Sequence, residues 1–227
     1  PTFAYEMAVI IQDGLRRMYG SDQENIYYYL TLMNETYHQP AMPEGAEEGI
    51  RRGIYKLLSR DGDRTKVQLL GSGTILNEVI KASEILSEEY GVDSDIYSVT
   101  SFNELARDGQ DVARHNMLHP EAARRTAYVS KVLGSKPAIA ATDYMKNYAD
   151  QIRAFIPAES YCVLGTDGYG RSDSRKNLRT HFEVNRHYVV VATLNELAKR
   201  GDVEKSTVAE AISKYGIDTN KPNPLFS

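Results

Sequence analysis

The apolar positions near the start of the chain recur at helical spacing. Ala4, Met7, Ala8, Ile11, Leu15 and Met18 fall on one stripe, which predicts an amphipathic helix that buries that stripe and stops at Gly20 and Ser21. At residues 26–33 the pattern changes to an unbroken apolar and tyrosine run, the signature of a strand covered on both faces. Residues 34–43 then carry Pro40 and Pro43 and read as an extended connector, because proline disfavours helix at the residue before it. A domain boundary is placed there, since one helix and one strand cannot form a stable domain alone.

Beyond the connector, strand-like and helix-like patterns alternate. Glu44, Glu47 and Glu48 mark the first turns of a short helix, where acidic side chains suit the positive end of the helix dipole. Residues 54–58 read as a short strand, Asp61, Gly62 and Asp63 as a turn, and 67–70 as a more buried strand. Gly71-Ser72-Gly73 leads into a helix whose face carries Ile75, Val79, Ala82 and Leu86 and which Gly91 closes. Further on come a strand at 96–99, an irregular helix at 102–119, a strand at 138–141, a helix at 145–155 and a strand at 161–164. Helices around Val190 to Leu197 and at 208–215 precede a loose tail at 220–227. This rhythm predicts an α/β fold, a mostly parallel sheet with helices on both faces.

Composition narrows the function classes. The 227 residues are 41% apolar and 26% charged, enough for one soluble domain and part of another. A net charge of −4 supplies no basic footprint, so neither nucleic acid nor an anionic membrane is expected as a partner. No apolar run approaches the roughly 18–20 residues of a membrane helix, and no signal core opens the chain, so a cytoplasmic location is expected. Sixteen tyrosines against five phenylalanines and no tryptophan suit half-wet surfaces such as subunit interfaces.

The candidate chemistry concentrates in two glycine-rich turns. The stretch Gly165-Thr166-Asp167-Gly168-Tyr169-Gly170-Arg171-Ser172-Asp173-Ser174-Arg175 follows a strand and opens a helix that Ser172 or Asp173 would cap. Like Gly71-Ser72-Gly73, it could cradle an anion at the sheet's carboxyl edge, or serve only as a tight turn; neither matches a dinucleotide or P-loop fingerprint. Arg171, Arg175, Lys176 and Arg179 form a basic corner able to meet an anion or an acidic partner, or simply a solvated helix face. His38, His115, His119, His181 and His187 match no recognised metal spacing, although His115 and His119 share a helix face. Cys162 sits in an apolar strand and reads as an inert thiol. Glu47 and Glu48, like Glu88 and Glu89, are adjacent on helices and point about 100° apart, too divergent for a shared acid-base site.

Several long motifs carry a resemblance. Residues 34–45 (NETYHQPAMPEG), 69–73 (LLGSG), 97–102 (YSVTSF), 104–111 (ELARDGQD), 142–146 (TDYMK), 165–175 and the ending at 214–218 (KYGID) are similar to the C-terminal region of the homodimeric bacterial pyruvate dehydrogenase family. The resemblance implies that residues 1–40 end a pyrimidine-binding middle domain plus linker. It implies for 41–227 a transketolase-like C-terminal domain, three-layered, with one antiparallel strand for which 54–58 is the candidate. It further implies a whole enzyme that uses thiamine diphosphate and magnesium to decarboxylate pyruvate oxidatively. That enzyme passes the acetyl group to the lipoyl group of an acyltransferase component, and this fragment supports the homodimer. The family's G-D-G…N-N motif and its cofactor-activating glutamate are not in the chain, so no catalytic, cofactor-binding or metal residue is assigned and no cofactor is expected on this fragment. The rival expectation is a free-standing α/β module that holds a nucleotide or metabolite at its glycine turns.

Overall fold

The computed structural model describes residues 1–60, 62 and 64–227; the turn expected at Asp61 and Asp63 lies outside the described residues. Helix α1 (Ala4–Tyr19) forms where the 3.6-residue periodicity places it, but it packs through a different face. Glu6, Ile10 and Gly14 are buried, whereas Ile11 and Leu15 remain 45% and 53% exposed. The reason is local: Gly14 leaves room for the Tyr28 ring, and Glu6 finds hydrogen-bond donors beneath it.

The run at 26–33 is extended and alternates, Tyr28 and Leu30 inward against α1, Tyr27 and Tyr29 outward at 86% and 84% exposure. It joins no sheet among the described residues, so the strand expected there is absent as a paired element. A strand needs a neighbour's backbone groups, and sequence pattern cannot say whether the neighbour is in the same stretch of chain.

After the connector, α2 (Glu47–Arg52) ends at Gly53, whose φ of 101° turns the backbone sharply into β1. The sheet comprises β1 (Ile54–Ser59), β2 (Lys66–Gly71), β3 (Asp93–Val99), β4 (Ala138–Ala141) and β5 (Tyr161–Leu164), in the order β1-β3-β2-β4-β5. All pairings are parallel except β1 with β3, which confirms the antiparallel candidate at 54–58. Alternation splits the strands between two cores. Val67, Leu69, Ile96, Ile139 and Ala141 face α3 (Leu76–Tyr90) and the late helices. Leu70, Tyr97, Val99, Ala138 and Ala140 face α4 (Phe102–Leu118), α5 (Tyr128–Val132) and α6 (Lys146–Asp150). Each fully buried Leu or Ile contributes roughly 1.5–3 kcal/mol of transfer free energy, so both layers are needed.

Four departures from the sequence reading remain. Helix α4 is regular, capped by Ser101, whose hydroxyl accepts from Glu104 N at 3.1 Å. The helix expected over 145–155 is only α6 followed by a 3₁₀ turn at Arg153–Phe155, and the short α5 carries too little periodicity to be read from sequence. After α7 (Arg175–His181), α8 (Arg186–Arg200) and α9 (Lys205–Lys214), the tail is not loose. Lys221 donates to His181 O at 2.5 Å and pairs with Glu183 at 3.0 Å, and the 3₁₀ turn Pro224–Phe226 buries Pro224.

Candidate functional site

In an open sheet of this order the crevice opens at the carboxyl ends between β2 and β4, where successive connections leave in opposite directions. The loops there are 72–75 after β2, 142–145 after β4 and 165–174 after β5. Ser72 Oγ donates to Thr142 Oγ1 at 2.8 Å and joins two of them.

The chain's own first residues fill the β1-β3-β2 half of this crevice. Thr2 Oγ1 donates to Gly73 O at 2.7 Å, and Phe3 is buried in the sheet core. Behind them Glu6 is fully buried and its carboxylate accepts from Thr2 N, from Phe3 N at 3.0 Å, from Tyr55 OH at 2.7 Å and from Ser98 Oγ at 2.5 Å. No ion pair to Glu6 occurs among the described residues; neutral donors alone hold it. Burial and this carboxylate push the Tyr55 phenol far above its ordinary value, and burial pushes Tyr5 up to about 12, so Tyr55 donates to Glu6 throughout the physiological range.

Both glycine turns are explained by close approach. A Cβ at Gly71 would stand 2.7 Å from Leu76 Cα. In the second turn Gly168 has φ of 100°, and a Cβ there would meet Pro224 O at 2.1 Å. Gly168→Ala therefore combines left-handed strain with a backbone clash. It is expected to lower stability by about 2 kcal/mol and to release the tail, read as new protease cleavage within 218–227. Unchanged cleavage would refute the packing assignment. The helix cap is Ser174, which accepts from Asn177 N at 3.3 Å, rather than Ser172 or Asp173; Asp173 Oδ1 instead accepts from Ser174 N and from Asn177 Nδ2.

The basic corner is largely occupied from within. Arg179 holds Glu35 of the connector with both guanidinium nitrogens, at 3.2 and 2.5 Å, touches Thr74 Oγ1 at 3.3 Å and lies 3.5 Å from Glu78. Glu78 also takes a two-point contact from Arg186 at 2.9 and 3.0 Å and accepts from Arg186 N. Burial works to raise the Glu78 carboxyl, but these hydrogen bonds and the two arginine charges outweigh it and leave it below its ordinary value. Arg175 donates to Asn34 O and Oδ1, at 3.1 and 2.6 Å. Arg171 and Lys176 stay exposed.

A cavity of about 270 Å³ remains on the β4-β5 side. Ile75, Leu178, Phe182, Val184 and Met33 form its apolar wall, Asp143 lies at its edge, and Arg171, Arg175 and Arg179 also line it. Burial raises the Asp143 carboxyl, against the lowering charge of Arg179.

The remaining candidates do not converge. His115 and His119 stack 4.3 Å apart, His187 lies flat on Tyr215 at 4.4 Å, His181 meets Phe182 edge-on, and His38 is exposed in the connector. Among the described residues no three His, Cys, Asp or Glu side chains group so as to hold a metal ion. Burial pushes the Cys162 thiol up, which suits an inert group. Sequence reasoning missed Glu6, Glu35, Glu78 and Asp143, because each is one acidic residue among 31 and only the fold gives it partners. The one available signal was Glu6 on a helix that opens an apolar stretch.

A three-layer α/β domain with one antiparallel edge strand and a crevice half filled by its own first residues defines the class. Residues 53–185 match the model described as the transketolase-like TK C-terminal domain, and the chain belongs to that family. Residues 1–40 match the model described as the pyruvate dehydrogenase E1 component middle domain. More particularly, the chain is 63% identical over 227 residues to the pyruvate dehydrogenase E1 component of Escherichia coli (strain K12), covering 100% of this chain and 26% of that protein. The same-named protein of Pseudomonas aeruginosa is 58% identical over 229 residues, covering 99% of this chain and 26% of that protein. The chain thus spans about a quarter of the length of the curated relatives it matches.

Proposed function

We propose that this chain is the C-terminal part of the first component of a pyruvate dehydrogenase complex, with residues 1–40 ending the pyrimidine-binding middle domain and 41–227 forming the transketolase-like C-terminal domain. The whole enzyme on this reading uses thiamine diphosphate and magnesium to decarboxylate pyruvate oxidatively. It passes the acetyl group to a lipoyl group of the acyltransferase component, and works in the cytoplasm as a homodimer. The observation that carries the reading is the half-finished layer at the start of the chain. An extended run with outward tyrosines lacks a paired neighbour among the described residues, and the Ile11 and Leu15 stripe of α1 is uncovered. Both are the surfaces expected of a segment whose sheet lies in another part of the protein.

The residues present here do not fit the cofactor. Among the described residues no three His, Cys, Asp or Glu side chains group so as to hold a metal ion, and the fully buried Glu6 carboxylate already accepts from Phe3 N, Tyr55 OH and Ser98 Oγ. This chain's part is mechanical: Glu6 and Arg179 weld α1 and the connector to the sheet, and no reacting group is assigned to it. The test is carbon dioxide release from carboxyl-labelled pyruvate by the full protein that carries this chain. Release that requires thiamine diphosphate and magnesium is expected, and its absence would overturn the proposal. The 227 residues alone are expected to give no heat on titration with thiamine diphosphate and magnesium; micromolar binding would contradict the assignment of the cofactor groups to other parts of the protein.

A further inference from the structure

The β4-β5 cavity is not accounted for by the welding role. Its wall is apolar, and its volume of about 270 Å³ equals roughly nine waters at about 30 Å³ each, room for a body of about six to eight heavy atoms. The polar groups around it divide by availability. Arg179 is committed to Glu35, Thr74 and Glu78, and Arg175 to Asn34 and, at 3.7 Å, to Glu35. Arg171 is exposed, lines the cavity, and makes no hydrogen bond or ion pair with the described residues. Asp143 is the opposing charge, and it lies beside Gly73, where a Cβ would stand 3.4 Å from its Oδ1, with the charge of Arg179 acting on it. With Arg175 and Arg179 paired to Glu35 and Glu78, Arg171 and Asp143 are the charged groups lining the cavity that have no ion pair among the described residues, and of the two the exposed guanidinium is the one that matches a carboxylate in two-point geometry.

We infer that this cavity is a binding site for a small organic carboxylate with a short apolar body, the body against Ile75, Leu178, Phe182 and Val184 and the carboxylate on Arg171. The site is separate from the thiamine reading, since it needs no cofactor and no residue outside those that line the cavity. It places a ligand against the connector at Met33, Asn34 and Glu35, where occupancy bears on the joint between the two segments.

The test uses three probes with one apolar body and different heads, hexanoate, 1-hexanol and hexylamine, titrated calorimetrically into the full protein that carries this chain. Hexanoate is expected to bind at one site per chain, at least tenfold more tightly than 1-hexanol, with hexylamine weaker still. Arg171→Glu should weaken hexanoate at least tenfold and leave 1-hexanol unchanged, while Arg171→Lys retains most of the hexanoate affinity. Because Arg171 is exposed and makes no hydrogen bond or ion pair with the described residues, equal melting temperatures are expected for wild type and both variants. Absence of hexanoate binding at millimolar concentration overturns the inference, as does equal hexanoate binding by wild type and Arg171→Glu. Hexylamine binding as tightly as hexanoate overturns it in favour of a cationic ligand on Asp143. Carbon dioxide release from pyruvate is measured in parallel, so failure here leaves the preceding proposal standing, and the reverse.

Discussion

Glu6→Ala lowers the free energy of unfolding by about 4 kcal/mol, measured by urea denaturation with an unchanged slope. The carboxylate is fully buried and is the shared acceptor for two backbone N–H groups, the Tyr55 phenol and the Ser98 hydroxyl. Removing it leaves buried donors without partners, each at roughly 1–3 kcal/mol, and opens a cavity between α1 and the sheet. Part of the loss is recovered because Tyr55 OH retains its contact with Tyr5 OH at 2.6 Å. Glu6→Gln is intermediate, since an amide NH₂ would face donors where the carboxylate accepts. A cost below about 1 kcal/mol for Glu6→Ala would show that α1 is not welded to the sheet through this group.

Arg179→Ala is the second large effect, expected at about 3 kcal/mol, because it removes the two-point partner of Glu35, leaving it only Arg175 at 3.7 Å, and removes one of two cations from the nearly buried Glu78. Arg179→Lys recovers little, since an ammonium cannot reproduce the two-point contact to Glu35. The same network sets an acid limit. The Glu78 carboxyl lies below its ordinary value in the folded chain, so the unfolded chain binds a proton there more readily. The stability it contributes is complete above the unfolded value of 4.5 and is lost as pH falls through the folded one. Unfolding free energy in the wild type should drop steeply below about pH 4.5, and Glu78→Gln should flatten that part of the profile. An identical acid slope in both proteins would remove Glu78 from the account.

The two networks act on one joint. Glu6 anchors α1 over β1 and β3, and Arg179 anchors the connector over β2, so what precedes residue 41 is held at two points on the carboxyl edge of the sheet. This accounts for two of the four residues of the basic corner. Arg175 and Arg179 do meet acceptors, but those are Asn34 and Glu35 of the same chain.

The five sheet strands and the longer helices were legible from hydrophobic spacing and glycine punctuation, because a buried strand and a two-layer core demand apolar runs. The strand at 54–58 and the helix closed by Gly91 follow from local chemistry, whereas the antiparallel sense of that strand came from the family resemblance and the close approach of Gly168 is to Pro224 of the tail. What spacing could not supply was partnership. The apolar stripe of α1 faces outward and its Glu6 face inward because Tyr55 and Ser98, 49 and 92 residues away, bring donors to it. The run at 26–33 has every mark of a strand yet joins no sheet among the described residues, since a ladder requires a neighbour that the pattern of one segment cannot guarantee. The tail is ordered by Gly168 and Lys221, which only folding sets against it. Local periodicity therefore placed most of the helices and sheet strands, and tertiary structure decided which faces are buried and whether the run at 26–33 pairs, because burying a charge or a glycine, like pairing a strand, depends on long-range neighbours that no short window of sequence contains.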